Sequence, residues 1–318
     1  MLPSGFIFLQ RDWLSSNSLL IYDKNSSFLF DSGYVTHSAQ LLQLVRHQLG
    51  TQQLDVVINT HLHSDHCGGN ALLQSFFPEL KCWIPHSQFD SVLNWDDSSL
   101  TYALTGQSCD RFRPTVGIQH GDCFQLCGLD WLVYSSPGHD NDSFIYFQPD
   151  HKVLISADAL WENGFSVVFP EFIGGIGFQN VAATFDLIEK LNPSIVIPGH
   201  GSMFTDVDKA LGISRRRLDQ FTVNPKLHAA YAAKVMVKFK VMELQQCDFT
   251  FLINWALESR LLSMLHSNYF GGSLKSWIES VINELIQRKA LSFSNHIVYN
   301  SQLQSSKTKS PTQWSRAF

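Results

Sequence analysis

The stretch THLHSDHCGGN, residues 60–70, decides how this chain is read. It places His61, His63, Asp65 and His66 within six consecutive positions, directly after the apolar run LDVVINT. Imidazoles crowded together repel when charged and compete for hydrogen bonds when neutral. A divalent cation removes both difficulties by taking ring nitrogens and carboxylate oxygens as ligands. A solvated loop has no need of such a cluster, so the spacing points to a metal. The run before it is continuously apolar, as in a strand buried on both faces, and loops at the ends of such strands carry functional groups on a rigid scaffold.

Around this motif the first half of the chain alternates strands and helices. FIFLQ, NSLLIYD and SFLFDSG read as strands bounded by turn formers, the last two joined through Lys24-Asn25-Ser26. Thr36 is placed to cap a helix running to Leu49, with Leu41, Leu42, Val45 and Leu49 on one face. If a metal sits at residues 61–66, its other ligands must follow other strand-like runs. Asp31 ends one such run, His139 follows WLVYSSPG, Asp158 follows VLISA, and His200 follows SIVIPG.

After Ser214 the pattern turns helical: YAAKVMVKFKVMELQ, FLINWALESRLLSMLHSNYF and, past a Gly271-Gly272 break, LKSWIESVINELIQRKAL. ALSFSNHIVYN then reads as a hairpin, so three helices and a hairpin suggest a small winged-helix-like module. We expect a catalytic domain over 1–210, a helical winged-helix-like domain over 211–300 and a disordered polar tail over 301–318. Charge divides the same way. Residues 1–210 carry 9 basic and 22 acidic side chains, a net of −13, whereas residues 211–318 carry 14 and 6, a net of +8.

Composition is that of a globular protein, with 16% charged and 44% apolar residues in 318. No run approaches the ~18 apolar residues of a membrane span. The first residues lack the basic and apolar regions of a secretory signal. The six cysteines show neither paired metal spacing nor a disulfide framework, so they read as reduced thiols of a cytoplasmic protein. Cys67 reads as a small packing residue rather than a ligand.

Taken in order, Asp31, the His61/His63/Asp65/His66 cluster, His139, Asp158 and His200 resemble the motifs of the metallo-β-lactamase-fold hydrolases, over roughly residues 5–205. The resemblance implies an α/β fold, an αβ/βα sandwich with metals at the edge between its two sheets. It implies that His61, His63 and His139 hold one metal and Asp65, His66 and His200 a second, with Asp158 bridging both. Asp31 then supports the metal loop by hydrogen bonding. The implied cofactors are two divalent ions, zinc first, with manganese or iron as alternatives. Two such ions share a water and make hydroxide available as the nucleophile, and Asp65 or Asp158 handles the proton.

Chain order and the helical C-terminal module resemble the branch containing glyoxalase II and β-lactamase-like protein 2. That branch also includes a ribonuclease, so the resemblance does not select the substrate. The favoured reading is a small-molecule acyl substrate, an ester, thioester or lactone, with Trp161, Phe165, Phe169 and Phe172 as candidate walls of an acyl pocket. The alternative is a phosphodiesterase or ribonuclease, with Arg215, Arg216, Arg217, Lys234, Lys238 and Lys240 on phosphates. A β-lactamase is disfavoured by Asp158, and a sulfur dioxygenase by the complete seven-ligand set. A nucleic-acid-binding module with a structural metal is disfavoured because LKSWIESVINELIQRKAL offers only Lys275, Arg288 and Lys289 against Glu279 and Glu284.

Overall fold

The apolar runs of the first half become the strands of two sheets. In this computed structural model, which describes residues 2–96 and 99–301, β1 (Phe6–Leu9), β2 (Ser18–Tyr22) and β3 (Ser27–Phe30) form an antiparallel meander. The β2–β3 turn is closed by Asp23, whose carboxylate accepts the backbone N–H groups of Asn25 at 2.7 Å and Ser26 at 2.8 Å. β4 (Val56–Ile58), β5 (Lys81–Pro85) and β6 (Val116–Ile118) extend the sheet in parallel, in the order β1-β2-β3-β4-β5-β6. β7 (Cys123–Leu126), β8 (Leu129–Ser135), β9 (Phe144–Gln148), β10 (Val153–Ala157) and β11 (Ile195–Pro198) make a second sheet, ordered β11-β10-β9-β8-β7. Only its β10–β11 pair is parallel.

Period-two alternation sorts the side chains between two cores. Ile21, Phe28, Phe30 and Ile58 meet Trp131, Val133, Tyr146 and Ile155 of the second sheet. Leu20, Leu29, Val57 and Ile84 point the other way, onto Leu41, Val45, Leu49 and Leu73 of the helices Ser38–Leu49 and Asn70–Phe76. The helix Gly177–Leu191 buries Val181, Phe185 and Ile188, and Phe185 meets Phe165 with ring centroids 5.5 Å apart. The result is the expected αβ/βα sandwich.

The first helix differs from expectation at its start. Residues 35–37 form a 3-10 turn, the α-helix begins at Ser38, and no side chain caps it. Ser15 explains the displacement: its hydroxyl accepts the Tyr34 N–H at 3.0 Å and lies 2.9 Å from His37 Nδ1, fixing the segment where Thr36 would have had to cap.

By packing, the described residues fall into two compact units: those up to Ala103 with Ser108–Arg216, and Leu104–Gln107 with those from Arg217 to 301. The division lies within the helix Val207–Val223. In the second unit the helices Pro225–Leu244, Phe249–Glu258, Arg260–Tyr269 and Leu274–Gln287 accompany a three-stranded sheet, β12 (Gln246–Asp248), β13 (Leu291–Ser294) and β14 (Ile297–Asn300), ordered β12-β14-β13. The run FLINWALESRLLSMLHSNYF is two helices rather than one. Ser259 is extended and its hydroxyl accepts the Leu262 N–H at 3.3 Å, starting a new helix. The expected hairpin forms, turning through Asn295 (φ 50°) and His296 (φ 66°), the two positive values a tight two-residue turn requires. Except for residue 301, the tail expected to be disordered lies outside the described residues. Among the described residues, no helix is long and apolar enough to cross a membrane.

Trp131 is fully buried between the sheets, with its ring 5.9 Å from Phe6 and 5.3 Å from Phe30. Trp131→Ala is expected to cost about 3–5 kcal/mol of stability through the cavity it leaves, read as a lower urea midpoint.

Candidate metal centre

Strand direction gathers the site. β3 and β4 run parallel, and β8, β10 and β11 point one way because β9 is antiparallel to both β8 and β10. Three hydrogen bonds tie the segments leaving β4 and β11 to β9 and to the residue before β2. Phe144 N–H donates to Thr60 O at 2.9 Å, Asn17 N–H to Gly199 O at 2.6 Å, and the Tyr146 hydroxyl to Asn59 O at 3.1 Å. His61, His63, Asp65 and His66 follow β4, His139 follows β8, Asp158 follows β10 and His200 follows β11, and all seven are buried.

The structure brings all seven together. His63 Nδ1 lies 3.1 Å from His61 Nε2 and 2.6 Å from His139 Nε2. On the other side Asp65 Oδ2 lies 3.1 Å from His200 Nε2 and 3.9 Å from His66 Nε2. Asp158 stands between them: Oδ2 is 3.4 Å from His139 Nε2, while Oδ1 is 3.6 Å from His66 Nε2 and 3.8 Å from His200 Nε2. Three triads, His61/His63/His139, His61/His66/Asp158 and Asp65/His66/His200, each have ligand atoms within 4.8 Å of one another. His66 Nε2 is buried and has no hydrogen-bond partner among the described residues. A buried polar atom left this way asks for a partner, and with these donors a divalent cation fits.

The neighbours fix how each ring faces. Asp31, at φ 55°, accepts the Thr60 N–H at 2.9 Å and the Thr60 hydroxyl at 2.8 Å, and its Oδ2 lies 2.7 Å from His66 Nδ1. His66 Nε2 is thereby turned into the centre. His139 Nδ1 lies 2.5 Å from Val167 O, and Asp140 Oδ2 lies 3.3 Å from His63 Nε2. Sequence reasoning missed Asp140, although a carboxylate directly after His139 was a signal. It also missed Trp13, whose ring stacks on His200 at 4.7 Å and 10° and meets Trp161 edge-on at 5.2 Å. No motif marks Trp13.

The four aromatic residues expected as pocket walls separate. The Trp161 Nε1–H donates to Asp158 Oδ1 at 3.2 Å, and the Phe169 ring lies 5.3 Å from that of His63 and 5.6 Å from that of His139. Phe165 and Phe172 are buried; Phe165 packs on Phe185 and also lines, with His139 and Asp158, a small cavity beside the centre.

Residues 11–200 match the metallo-β-lactamase superfamily. The chain belongs to this superfamily. It is 25% identical over 214 residues to a hydroxyacylglutathione hydrolase of Francisella tularensis subsp. holarctica, covering 64% of this chain and 71% of the relative. That likeness agrees with the glyoxalase II branch. The fold is shared with a metallo-β-lactamase family protein from Thermus thermophilus, at TM-score 0.54 and 15% identity over 95% of this chain and 100% of that one. It is also shared with the BLEG-1 B3 metallo-β-lactamase, at TM-score 0.54 and 19% identity over 65% of this chain and 96% of that one.

In this superfamily member the centre is electrostatically divided. Burial drives the His61 imidazole well below its usual range, helped by His66, His63 and His139. Burial, with His63, takes His139 down to about 4. Burial also opposes charge on His66, but Asp31, Asp158 and Asp65 together outweigh it and raise His66 well above its usual range. Burial alone would raise Asp158; His200, His66 and His139 instead hold it well below the usual carboxylate range. The ionised Asp158 and the neutral rings of His61 and His139 are in the protonation states that bind metals, whereas His66 would have to give up its Nε2 proton to a cation.

Gly199 is required by close approach: a Cβ there would lie 2.3 Å from Asp158 Oδ1 and 3.0 Å from His66 Cε1. Gly199→Ala is expected to destabilise the protein by about 1–3 kcal/mol through overpacking, lowering the thermal midpoint.

Proposed function

We propose that this chain is a hydrolase holding two divalent ions, zinc first with manganese or iron as alternatives, that cleaves an ester, thioester or lactone. The observation that carries the reading is that Asp158 offers Oδ2 toward His139 at 3.4 Å and Oδ1 toward His66 and His200 at 3.6 and 3.8 Å. His61, His63 and His139 would hold one ion and Asp65, His66 and His200 the other, with Asp158 shared. His66 Nε2, buried without a hydrogen bond among the described residues, supports the same assignment. When bound, such ions supply hydroxide near neutral pH and polarise a carbonyl.

The chain's own residues do the remaining work. Asp31, Val167 and Asp140 orient His66, His139 and His63 respectively, and Asp65 or Asp158 handles the proton. The Trp161 ring lies 5.6 Å from that of His200 and the Phe169 ring 5.6 Å from that of His139, and they give an acyl group apolar walls. A relative named for hydrolysis of a hydroxyacylglutathione supports a thioester among the candidates. The catalytic domain is taken as residues 1–210 and 211–300 as a helical, winged-helix-like domain; the family match ending at residue 200 supports this, and the packing division after Arg216 falls a few residues later.

The nuclease alternative weakens because five of its six proposed phosphate contacts, all but Arg216, already have partners. Arg215 pairs with Asp186 at 2.7 Å and Glu189 at 3.0 Å, Lys234 with Glu284 at 3.1 Å, and Lys240 with Glu243 at 2.6 Å. Lys238 is buried and donates to Ala290 O and Asn300 Oδ1, both at 2.6 Å, while Arg217 lies 4.2 Å over the Tyr231 ring.

Purified protein is expected to carry about two metal ions per chain, because seven ligands exceed one tetrahedral site. Elemental analysis finding none, with no activity restored by zinc, manganese or iron, would sink the reading. His61→Ala and Asp158→Ala should each lose nearly all acyl hydrolysis while keeping the circular dichroism of the parent. In a screen over thioesters, lactones, β-lactams and phosphodiesters, fastest turnover of a phosphodiester would transfer the assignment to the alternative. Trp161→Phe removes the indole N–H from Asp158 but keeps the ring, and metal affinity measured by chelator competition should fall about 10–100-fold. Unchanged affinity would leave Trp161 as a wall only.

A further inference from the structure

Two cysteines meet under the metal-binding loop. Cys67 closes the short helix Ser64–Cys67 that carries Asp65 and His66, and it is fully buried. Its Sγ lies 3.7 Å from Cys109 Sγ and 3.2 Å from the Tyr102 hydroxyl. Cys109 is partly exposed and stands in an irregular stretch over residues 107–115. Cys109 is thus the cysteine nearer to solvent, and Cys67 is within van der Waals reach behind it.

We propose that Cys67 and Cys109 form an oxidation site that a hydroperoxide converts to a disulfide. In the first step the Cys109 sulfur attacks the distal peroxide oxygen and the O–O bond breaks. The leaving alkoxide or hydroxide takes the thiol proton, and Cys109 becomes a sulfenic acid. The Cys67 sulfur then attacks the Cys109 sulfur, the S–S bond forms, the S–O bond breaks, and hydroxide leaves with the Cys67 proton as water. The peroxide gains two electrons and the thiol pair loses two. Tyr102, 3.2 Å from Cys67 Sγ, holds that sulfur in place.

A disulfide is about 2.0 Å between sulfurs, so one side must approach. The metal-loop side is clamped. An added Cβ at Gly68 would lie 2.5 Å from Val35 N, and one at Gly69 would lie 2.5 Å from Ser32 O, so the backbone after Cys67 has no room to shift. The irregular Cys109 segment is the side that moves, and the cross-link fastens it to the loop bearing Asp65 and His66.

The test treats the full-length protein with hydrogen peroxide, blocks remaining thiols by alkylation and maps peptides by mass spectrometry without reduction. The expected result is a peptide containing Cys67 joined to one containing Cys109, separated by dithiothreitol, with a higher thermal midpoint in the oxidised protein. Cys109→Ser, shown by circular dichroism to be folded, should yield no linkage at Cys67 and no peroxide-dependent rise. Cys109 recovered as sulfinic acid while Cys67 stays a free thiol would overturn the proposal. So would linkage of Cys109 to a different cysteine, or no oxidation of either residue.

Discussion

The buried carboxylate of Asp31 is the constraint on which the site is built. It sits at the end of β3 and takes the Thr60 N–H, the Thr60 hydroxyl and the His66 ring at 2.7–2.9 Å. Those bonds turn the chain as it leaves β4 and set the direction of His66. Without them a buried carboxylate would carry its desolvation cost uncompensated, and the loop that follows would lose its reference point. The left-handed backbone at Asp31 is tolerated because its short polar side chain is bonded locally.

The same economy of position recurs across the sheets. Ala157, at φ 46°, lies where the β10–β11 register shifts, and this irregularity carries Asp158 off its strand toward the centre. A non-glycine residue in that conformation is strained, and its own fully buried strand and the largely buried β11 beside it hold it there. The inter-sheet core supplies the rigidity, while the polar cluster occupies the sheet edge. Placing imidazoles and carboxylates out of water weakens the fold locally, and a bound cation restores what burial removes.

The surroundings decide what the centre can meet. Trp13, Trp161 and Phe169 border it with rings, whereas most of the cations considered for phosphate are committed to carboxylates, carbonyls or aromatic faces within their own units. A long polyanion would find few unengaged charges among them, and an acyl group would find apolar surface beside the centre. The net charge of the C-terminal residues therefore says less about partners than its arithmetic suggested.

By itself the sequence determined the alternation of strands and helices, the buried strand before His61, and the strand-end positions of Asp31, His139, Asp158 and His200. Local periodicity and turn chemistry fix these, so they can be read without coordinates. Its family motifs also singled out the seven polar residues that come together. Other features had no local signal. The helix expected from Thr36 starts later because Ser15, far away in sequence, pins Tyr34 and His37. Phe165 and Phe169 look alike in the chain, yet one packs on Phe185 and the other faces His63. Trp13, Asp140 and the Cys67–Cys109 pair gain their meaning only from partners brought close by the two-sheet packing, because side-chain contact across a fold depends on direction and register that no short stretch encodes.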